Sequence, residues 1–113
     1  MRSYIKIDKS LIPYEFDIRL NKTTYTFKID YNSRHDFFTI AITKSDGTVL
    51  TSGEKLLLNK PLLSERGYVD FPLVVPSDAT GQASRITWGN MGVTVFLYVG
   101  VQEWAGYLKE KSS

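Results

Sequence analysis

Apolar and polar residues alternate strictly in two neighbouring stretches near the start of the chain. YEFDIRL at 14–20 and YTFKIDY at 25–31 each place aromatic or aliphatic residues at every second position. Since successive side chains of a strand point to opposite faces of a sheet, both stretches predict half-buried strands. The polar pair Asn21-Lys22 between them predicts a tight turn, so the two strands should form a β-hairpin.

A third stretch and the turn that follows it predict a second hairpin. FFTIAIT at 37–43 places three apolar residues on one face of a strand. Asp46-Gly47 follows, and Asp-Gly between apolar runs is a strong hairpin signal. The return strand is expected to begin at 49–51 and to end at 52–54.

The second half of the chain contains a proline-marked strand and the most apolar segment. YVDFPLVVP at 68–76 is predicted to be extended, and its prolines place it at a sheet edge or in a bulge. Residues 85–88 predict a further short strand. VTVFLYVGV at 93–101 is apolar on both faces and is predicted to be the most buried strand, at the centre of the core.

These patterns predict seven to nine short strands and no long amphipathic helix. Short strands separated by frequent turn signals favour an all-β, antiparallel β-sandwich, with a small β-barrel as the alternative. A chain of 113 residues fits a single domain. We place that domain at 1–108 and predict that the polar residues 109–113 form a flexible tail.

The composition excludes several kinds of site. The chain has no cysteine, which excludes disulfides, thiolate nucleophiles and cysteine-based zinc sites. Fourteen Lys and Arg residues against twelve Asp and Glu residues give a net charge of +2, which is too small to indicate a polyanionic partner. The start of the chain lacks the apolar core of a signal peptide, and no run approaches the roughly 20 apolar residues of a membrane helix. We therefore expect a soluble, unprocessed protein without membrane contact.

The residue pattern gives little support to catalysis. The single histidine, His35, is followed by Asp36, but neighbouring residues of an extended chain point to opposite sides, so this pair does not form the orienting contact of a catalytic triad. A solvated loop histidine is the simpler interpretation. The carboxylates of the first hairpin alternate with basic residues on the predicted solvent face, where cross-strand ion pairs explain them. We expect no catalytic residue, no metal site and no cofactor.

One group of residues leaves nucleic-acid binding open as an alternative. Lys28, Arg34 and Lys44 lie near Tyr31 and Phe37 in the sequence, and small β-barrels stack bases on aromatic side chains. The low net charge provides little of the phosphate neutralisation from which such proteins derive their affinity, so nucleic acid is not the favoured partner.

The aromatic residues of the last third of the chain are candidates for a contact surface. Tyr98, Trp104 and Tyr107 could form an exposed patch, although packing in the core is the alternative for each of them. A carbohydrate or host-surface binding module is a further possibility, and it would require aromatic residues gathered in an exposed groove.

Several short patterns occur in a fixed order along the chain. They are Ile12-Pro13, Tyr25-x-Phe27-x-Ile29-x-Tyr31-Asn32, Phe38-x-Ile40-x-Ile42, Asp46-Gly47, Pro61-Leu62-Leu63 and Val95-x-Leu97-Tyr98. This order resembles that of the small tailed-phage baseplate plug family and of similar tail proteins of Bacillus-infecting siphophages. The chain departs from the pattern at 87–92 and adds a segment after Gly100.

The resemblance implies a non-enzymatic, all-β structural or assembly protein of a phage tail. It implies other phage tail or baseplate proteins as partners, homo-oligomerisation as a further possibility, and a place in the tail of the virion after synthesis in the host cytoplasm. It assigns no role to individual residues.

Overall fold

Two antiparallel sheets form the fold of the computed structural model, which describes residues 3–64 and 71–100. The strands of these two ranges are β1 (Ser3–Ile5), β2 (Tyr14–Leu20), β3 (Thr23–Asn32), β4 (Phe37–Lys44), β5 (Val49–Lys55), β6 (Val74–Asp78) and β7 (Val95–Val99). One sheet has the order β2-β3-β4-β5, and the other has the order β1-β7-β6. The predicted all-β sandwich is confirmed, and in the described part of the chain neither sheet closes into the alternative barrel. No helix in that part has the length and apolar character needed to cross a membrane.

β2 and β3 form the first predicted hairpin, with an unbroken ladder between them. Every residue of β2 has a partner on β3, and the ladder ends with Leu20 opposite Thr23. Asn21 and Lys22 both have positive φ values, 51° and 71°, as a two-residue turn of type I′ requires. Asn adopts this conformation readily, whereas Lys does so at a steric cost.

β4 and β5 form the second predicted hairpin, but β5 is longer and less regular than expected. Gly47 has a φ of 94° and donates its N–H to the Lys44 carbonyl at 2.9 Å, so the predicted turn is confirmed. The prediction that the return strand ends at 52–54 is wrong, because β5 continues to Lys55. Register shifts on both sides of Ile42 interrupt the ladder, and such bulges bend an edge strand.

The core lies between the two sheets and contains the side chains that the alternation predicted. The central strands β3 and β4 bury Tyr25, Phe27, Ile29, Phe38, Ile40 and Ile42. Val74 on β6 and Val95 and Leu97 on β7 are fully buried in the same cluster. Because burial of a large apolar side chain contributes about 1.5–3 kcal/mol, these strands supply much of the stability.

β7 lies between β1 and β6, in the central position predicted for the most apolar segment. The predicted start of this strand at Val93 is wrong, since Val93 is 62% exposed and the strand begins at Val95. The Gly92 N–H donates to the Val95 carbonyl at 2.9 Å. A tight turn therefore precedes β7 and carries Val93 out of the core.

β6 lies at a sheet edge, as the prolines predicted, but the predicted bounds are wrong, because residues 71–73 are not in a strand and β6 spans Val74–Asp78; residues 68–70 lie outside the described residues. Pro76 belongs to β6, and its carbonyl accepts the Asn59 N–H at 2.7 Å. The Val74 carbonyl accepts the Leu62 N–H at 2.9 Å. Two bonds from the chain at 59–62 thus cover the outer edge of β6.

The predicted strand at 85–88 is wrong. The Thr87 N–H donates to Asn90 Oδ1 at 2.8 Å, and the Asn90 N–H donates to Thr87 Oγ1 at 3.2 Å. The Met91 N–H also bonds to the Thr87 carbonyl, at 3.0 Å. These local bonds use the backbone groups that a strand would offer to a neighbour, so the segment forms a turn.

Candidate functional site

Tyr31, Asp36, Arg85 and Trp88, here called the Asp36 cluster, join the turn between β3 and β4 to the loop that precedes β7. Asp36 Oδ1 accepts the Tyr31 hydroxyl at 2.7 Å and the Trp88 N–H at 2.9 Å. Asp36 Oδ2 lies 3.1 Å from a guanidinium nitrogen of Arg85. One carboxylate therefore connects segments that lie 49 and 52 residues apart in the sequence.

Aromatic packing supports the same connection. The Trp88 ring lies nearly parallel to Phe38, with 6.0 Å between centroids, and its centroid is 4.7 Å from that of Tyr31. Lys9 places its ammonium 5.1 Å from the centroid of the Trp88 ring and also donates to the Trp88 carbonyl. The loop before β7 is thus fastened to the four-stranded sheet by both polar and apolar contacts.

These contacts shift the proton affinities of two groups in opposite directions. The Tyr31 hydroxyl, the Trp88 N–H and the Arg85 charge lower the pKa of the Asp36 carboxyl, and the Tyr31 bond is the largest cause. The same bond raises the pKa of the Tyr31 hydroxyl, because it would place a phenolate beside a carboxylate. Asp36 is therefore ionised and Tyr31 is protonated near neutral pH, which suits a structural connection better than proton transfer.

His35 is exposed, as predicted for a solvated loop histidine. Its ring lies 6.4 Å from that of Phe37, and both residues line a surface cavity of about 320 Å³ together with Lys55. The carboxylate of Asp36, which follows His35 in the sequence, binds the other residues of the Asp36 cluster and not His35. Within residues 3–64 and 71–100, no group of three or more acidic or histidine side chains could hold a metal ion.

Tyr98 is the one residue of the predicted aromatic contact surface that lies in the described part of the chain. It is 9% exposed, and its ring centroid lies 5.8 Å from that of Tyr4 and 6.3 Å from that of Phe96. Trp104 and Tyr107 lie outside the described residues, as do both ends of the predicted domain at 1–108. The contact surface as a whole therefore stays a prediction.

The more exposed aromatic side chains fall into two groups. Tyr4 is 54% exposed and packs on the aromatic residues of β7, whereas Trp88 is 42% exposed and packs on Tyr31 and Phe38. The ring contacts of the described residues do not join these groups into the single groove that the carbohydrate-binding alternative requires.

The basic residues considered for nucleic-acid binding are spread over the four-stranded sheet. Lys28 lies on its solvent face, directly opposite Glu15 of β2. Lys44 is paired with the buried Tyr25, so it belongs to the other face of the sheet, and Arg34 lies in the turn between β3 and β4. These positions do not form a continuous basic strip.

The outer edge of β2 is the most distinctive candidate for a contact with another chain. In the described ranges, β2 pairs with β3 alone, and no other backbone hydrogen bond reaches it. In a two-residue hairpin the residues that flank the turn are hydrogen-bonded to each other, and such pairs alternate along the ladder. The even-numbered residues of β2 therefore bond to β3, and Glu15, Asp17 and Arg19 direct their N–H and C=O groups outward. We call this row of groups the β2 edge.

The inner face of β2 extends beyond the well-covered part of the core. Phe16 and Ile18 are only half-buried, although their direct neighbours on β3, Phe27 and Tyr25, are 0% and 3% exposed. The Phe16 ring lies 5.8 Å from that of Phe27, so it continues the core outward. A partner strand at the β2 edge would gain both backbone hydrogen bonds and apolar contact.

Sequence reasoning recognised β2 as a strand but missed both of these features. Alternation identifies a strand and its inner face, but it does not show which strand lies at the edge of a sheet. In the sequence Asp36 is adjacent to His35, whereas its partners Arg85 and Trp88 are brought to it by tertiary folding.

Comparison with known proteins identifies a matching family. A family model described as cyanophage baseplate Pam3 plug gp18 matches residues 2–102 of the 113-residue chain. A comparison with curated proteins found no match.

Proposed function

Because the chain belongs to the family of the cyanophage baseplate Pam3 plug gp18, we propose that it is a structural component of a phage tail or baseplate. It acts there by binding neighbouring tail or baseplate proteins and not by catalysis. The sequence resemblance to tail proteins of Bacillus-infecting siphophages supports such a phage as its source. The protein is synthesised in the host cytoplasm and is then incorporated into the tail of the virion.

The β2 edge is the observation that carries the binding mechanism. Its unpaired N–H and C=O groups can bond to an extended segment of another chain, which would become a fifth strand of the sheet. Native proteins usually cover such an edge or interrupt it with bulges or proline. Within the described residues, β2 has a ladder of seven residues without a bulge, a proline or a covering backbone bond, so it is suited to pairing with a partner.

Purified virions of the encoding phage provide the first test. Mass spectrometry should find the chain in stoichiometric amounts with the tail proteins, and antibody labelling should place it at the tail. Virions that contain the major tail proteins but no copies of this chain would contradict a structural role in the finished particle.

Two substitutions at one position test the binding mechanism. Asp17→Pro removes an outward N–H, so it should leave the β2–β3 ladder intact but prevent pairing at the β2 edge. The matched control Asp17→Ala keeps that N–H. We expect incorporation into virions to fall at least about tenfold for Asp17→Pro and to persist for Asp17→Ala, since loss of edge pairing removes several hydrogen bonds of about 1 kcal/mol each.

The folding of both variants is checked by circular dichroism and thermal unfolding before virions are examined. Glu15→Pro is a second edge variant, because its N–H also points outward. Normal incorporation of a folded proline variant would show that neighbouring proteins do not bind through the β2 edge.

A further inference from the structure

The side chains along the β2 edge have a charge order that is complementary to itself. Asp17 and Arg19 are both exposed, have opposite charges and lie two residues apart on the same face of β2. We propose that the β2 edge binds the β2 edge of a second copy of this chain in an antiparallel pair with Ile18 on the two-fold axis. This inference rests on the proposed role of the β2 edge and names its partner.

An antiparallel pair with this axis places opposite charges across from each other. Asp17 lies opposite the partner's Arg19, and by symmetry Arg19 lies opposite the partner's Asp17. Only Oδ1 of Asp17 has a described hydrogen bond, at 2.7 Å from the Thr26 hydroxyl, so Oδ2 can accept a bond from the guanidinium. Opposite charges that face each other across a strand pair stabilise it.

The inner face of β2 is complementary to itself in the same register. Phe16 would lie opposite the partner's Leu20, and Ile18 opposite the partner's Ile18. Because Phe16 and Ile18 are only half-buried in the single chain, the pair would remove further apolar surface from water. Backbone bonds and apolar contact therefore favour the same arrangement.

The neighbouring antiparallel registers are less favourable. With Asp17 on the axis, Glu15 would face the partner's Arg19, but two aspartates would also face each other directly. With Phe16 on the axis, Glu15 would face the partner's Asp17 twice. Like charges directly opposite each other destabilise a strand pair, so the charge order selects the register with Ile18 on the axis.

A charge exchange in the full-length chain tests both the pair and its register. Analytical ultracentrifugation over a concentration series should show a monomer–dimer equilibrium. Asp17→Arg and Arg19→Asp should each weaken the dimer by about tenfold, because each substitution creates two like-charge oppositions. The double variant Asp17→Arg/Arg19→Asp restores opposite charges in this register, so its dimerisation should return to within about twofold of the original.

Lys28→Gln is the control, because it removes a charge from the same exposed face on β3, away from the edge, without placing like charges opposite Glu15. A chain that stays monomeric over the whole series would overturn the proposal. So would a dimer that the single substitutions leave unchanged, or a double variant as weak as the single variants.

The absence of cysteine allows a second and independent test. Ile18 would form a non-hydrogen-bonded pair with its own copy, in which the Cα atoms lie about 4.5 Å apart, a distance that a disulfide can span. Ile18→Cys should therefore form a disulfide dimer under mild oxidation, whereas Lys28→Cys should form much less. Equal amounts of cross-linked dimer for the two variants would contradict the proposed axis.

The tests of the two proposals can fail separately. A monomeric chain whose Asp17→Pro variant is excluded from virions would retain the baseplate role and assign the β2 edge to a different protein. A dimer with the expected charge dependence in a chain absent from virions would retain the pair and reject the structural role.

Discussion

The Asp36 cluster and the β2 edge use similar residue types with opposite outcomes. Asp36 and Arg85 form an ion pair within the chain, and the same carboxylate also binds two donors from other residues. Asp17 and Arg19 lie along one edge strand whose outward backbone groups have no partner in the described residues. The polar groups of the Asp36 cluster bond to one another, whereas the outward backbone groups of the β2 edge remain available for binding.

The Asp36 cluster thus stabilises the monomer, whereas the β2 edge is the proposed recognition region. Substitutions in the buried core or in the Asp36 cluster should act mainly on the free energy of unfolding. Substitutions at the β2 edge should act mainly on association, since part of each side chain there is already exposed to water.

The largest expected difference lies within one cross-strand pair. Phe27→Ala should destabilise the monomer by about 3–5 kcal/mol, because it opens a cavity at a fully buried site. Phe16→Ala removes a half-buried ring from the opposite position on β2 and should cost about 1–2 kcal/mol. Urea denaturation at a concentration where the chain is monomeric measures both values.

The same two variants also differ in association. Phe16→Ala should reduce the free energy of dimerisation by more than it reduces the free energy of unfolding of the monomer, because the ring contributes to the proposed interface. Equal losses of stability for Phe16→Ala and Phe27→Ala would show that the inner face of β2 contributes to the core as fully as β3 does. The β2 edge would then not differ from the stabilising part of the molecule.

The pH dependence of stability tests the Asp36 cluster. Asp36→Asn should lower the thermal midpoint at neutral pH by less than Phe27→Ala does, since it removes an ionised acceptor but leaves the core intact. The contacts of Asp36 lower its pKa in the folded state, so its stabilising contribution is complete above its unfolded pKa of about 4. That contribution is lost as the pH falls through the lower folded pKa.

The difference in stability between the original chain and Asp36→Asn should therefore shrink below about pH 4. Tyr31→Phe serves as a matched variant, because it removes the largest cause of the shift without changing the carboxylate. If the original chain and Asp36→Asn lose stability in parallel below that pH, the contacts of Asp36 contribute no folding free energy.

The smallest expected effect lies in the turn that leads from the β2 edge into β3. Lys22 has a φ of 71°, so Lys22→Gly should raise the free energy of unfolding by about 0.5–1 kcal/mol through relief of backbone strain. Lys22→Ala keeps the strain and should give no such gain. A stabilisation as large for Lys22→Ala as for Lys22→Gly would assign the effect to loss of charge instead of backbone conformation.

Several features follow from short-range sequence patterns alone. Alternation over 14–20 and 25–31 determined two strands and their buried faces, because side chains of a strand point alternately to opposite sides. Asp46-Gly47 determined a hairpin turn through the conformational preferences of its residues. The apolar run around Val95 and Leu97 determined a central strand, and the prolines near β6 indicated an edge.

Other features depend on contacts between distant parts of the chain. Asp36 binds Arg85 and Trp88 only because folding brings two loops together. No local pattern encodes these distances.

The sequence by itself thus determined the kind of fold and the inner face of each main strand, because these follow from side-chain periodicity. Only the tertiary structure decided that β2 lies at an edge, with its outward backbone groups unpaired among the described residues. The physical reason is that strand order depends on which strands pair, and pairing is a long-range property of the whole chain. The charge order of Asp17 and Arg19 is visible in the sequence, but its meaning depends on that position.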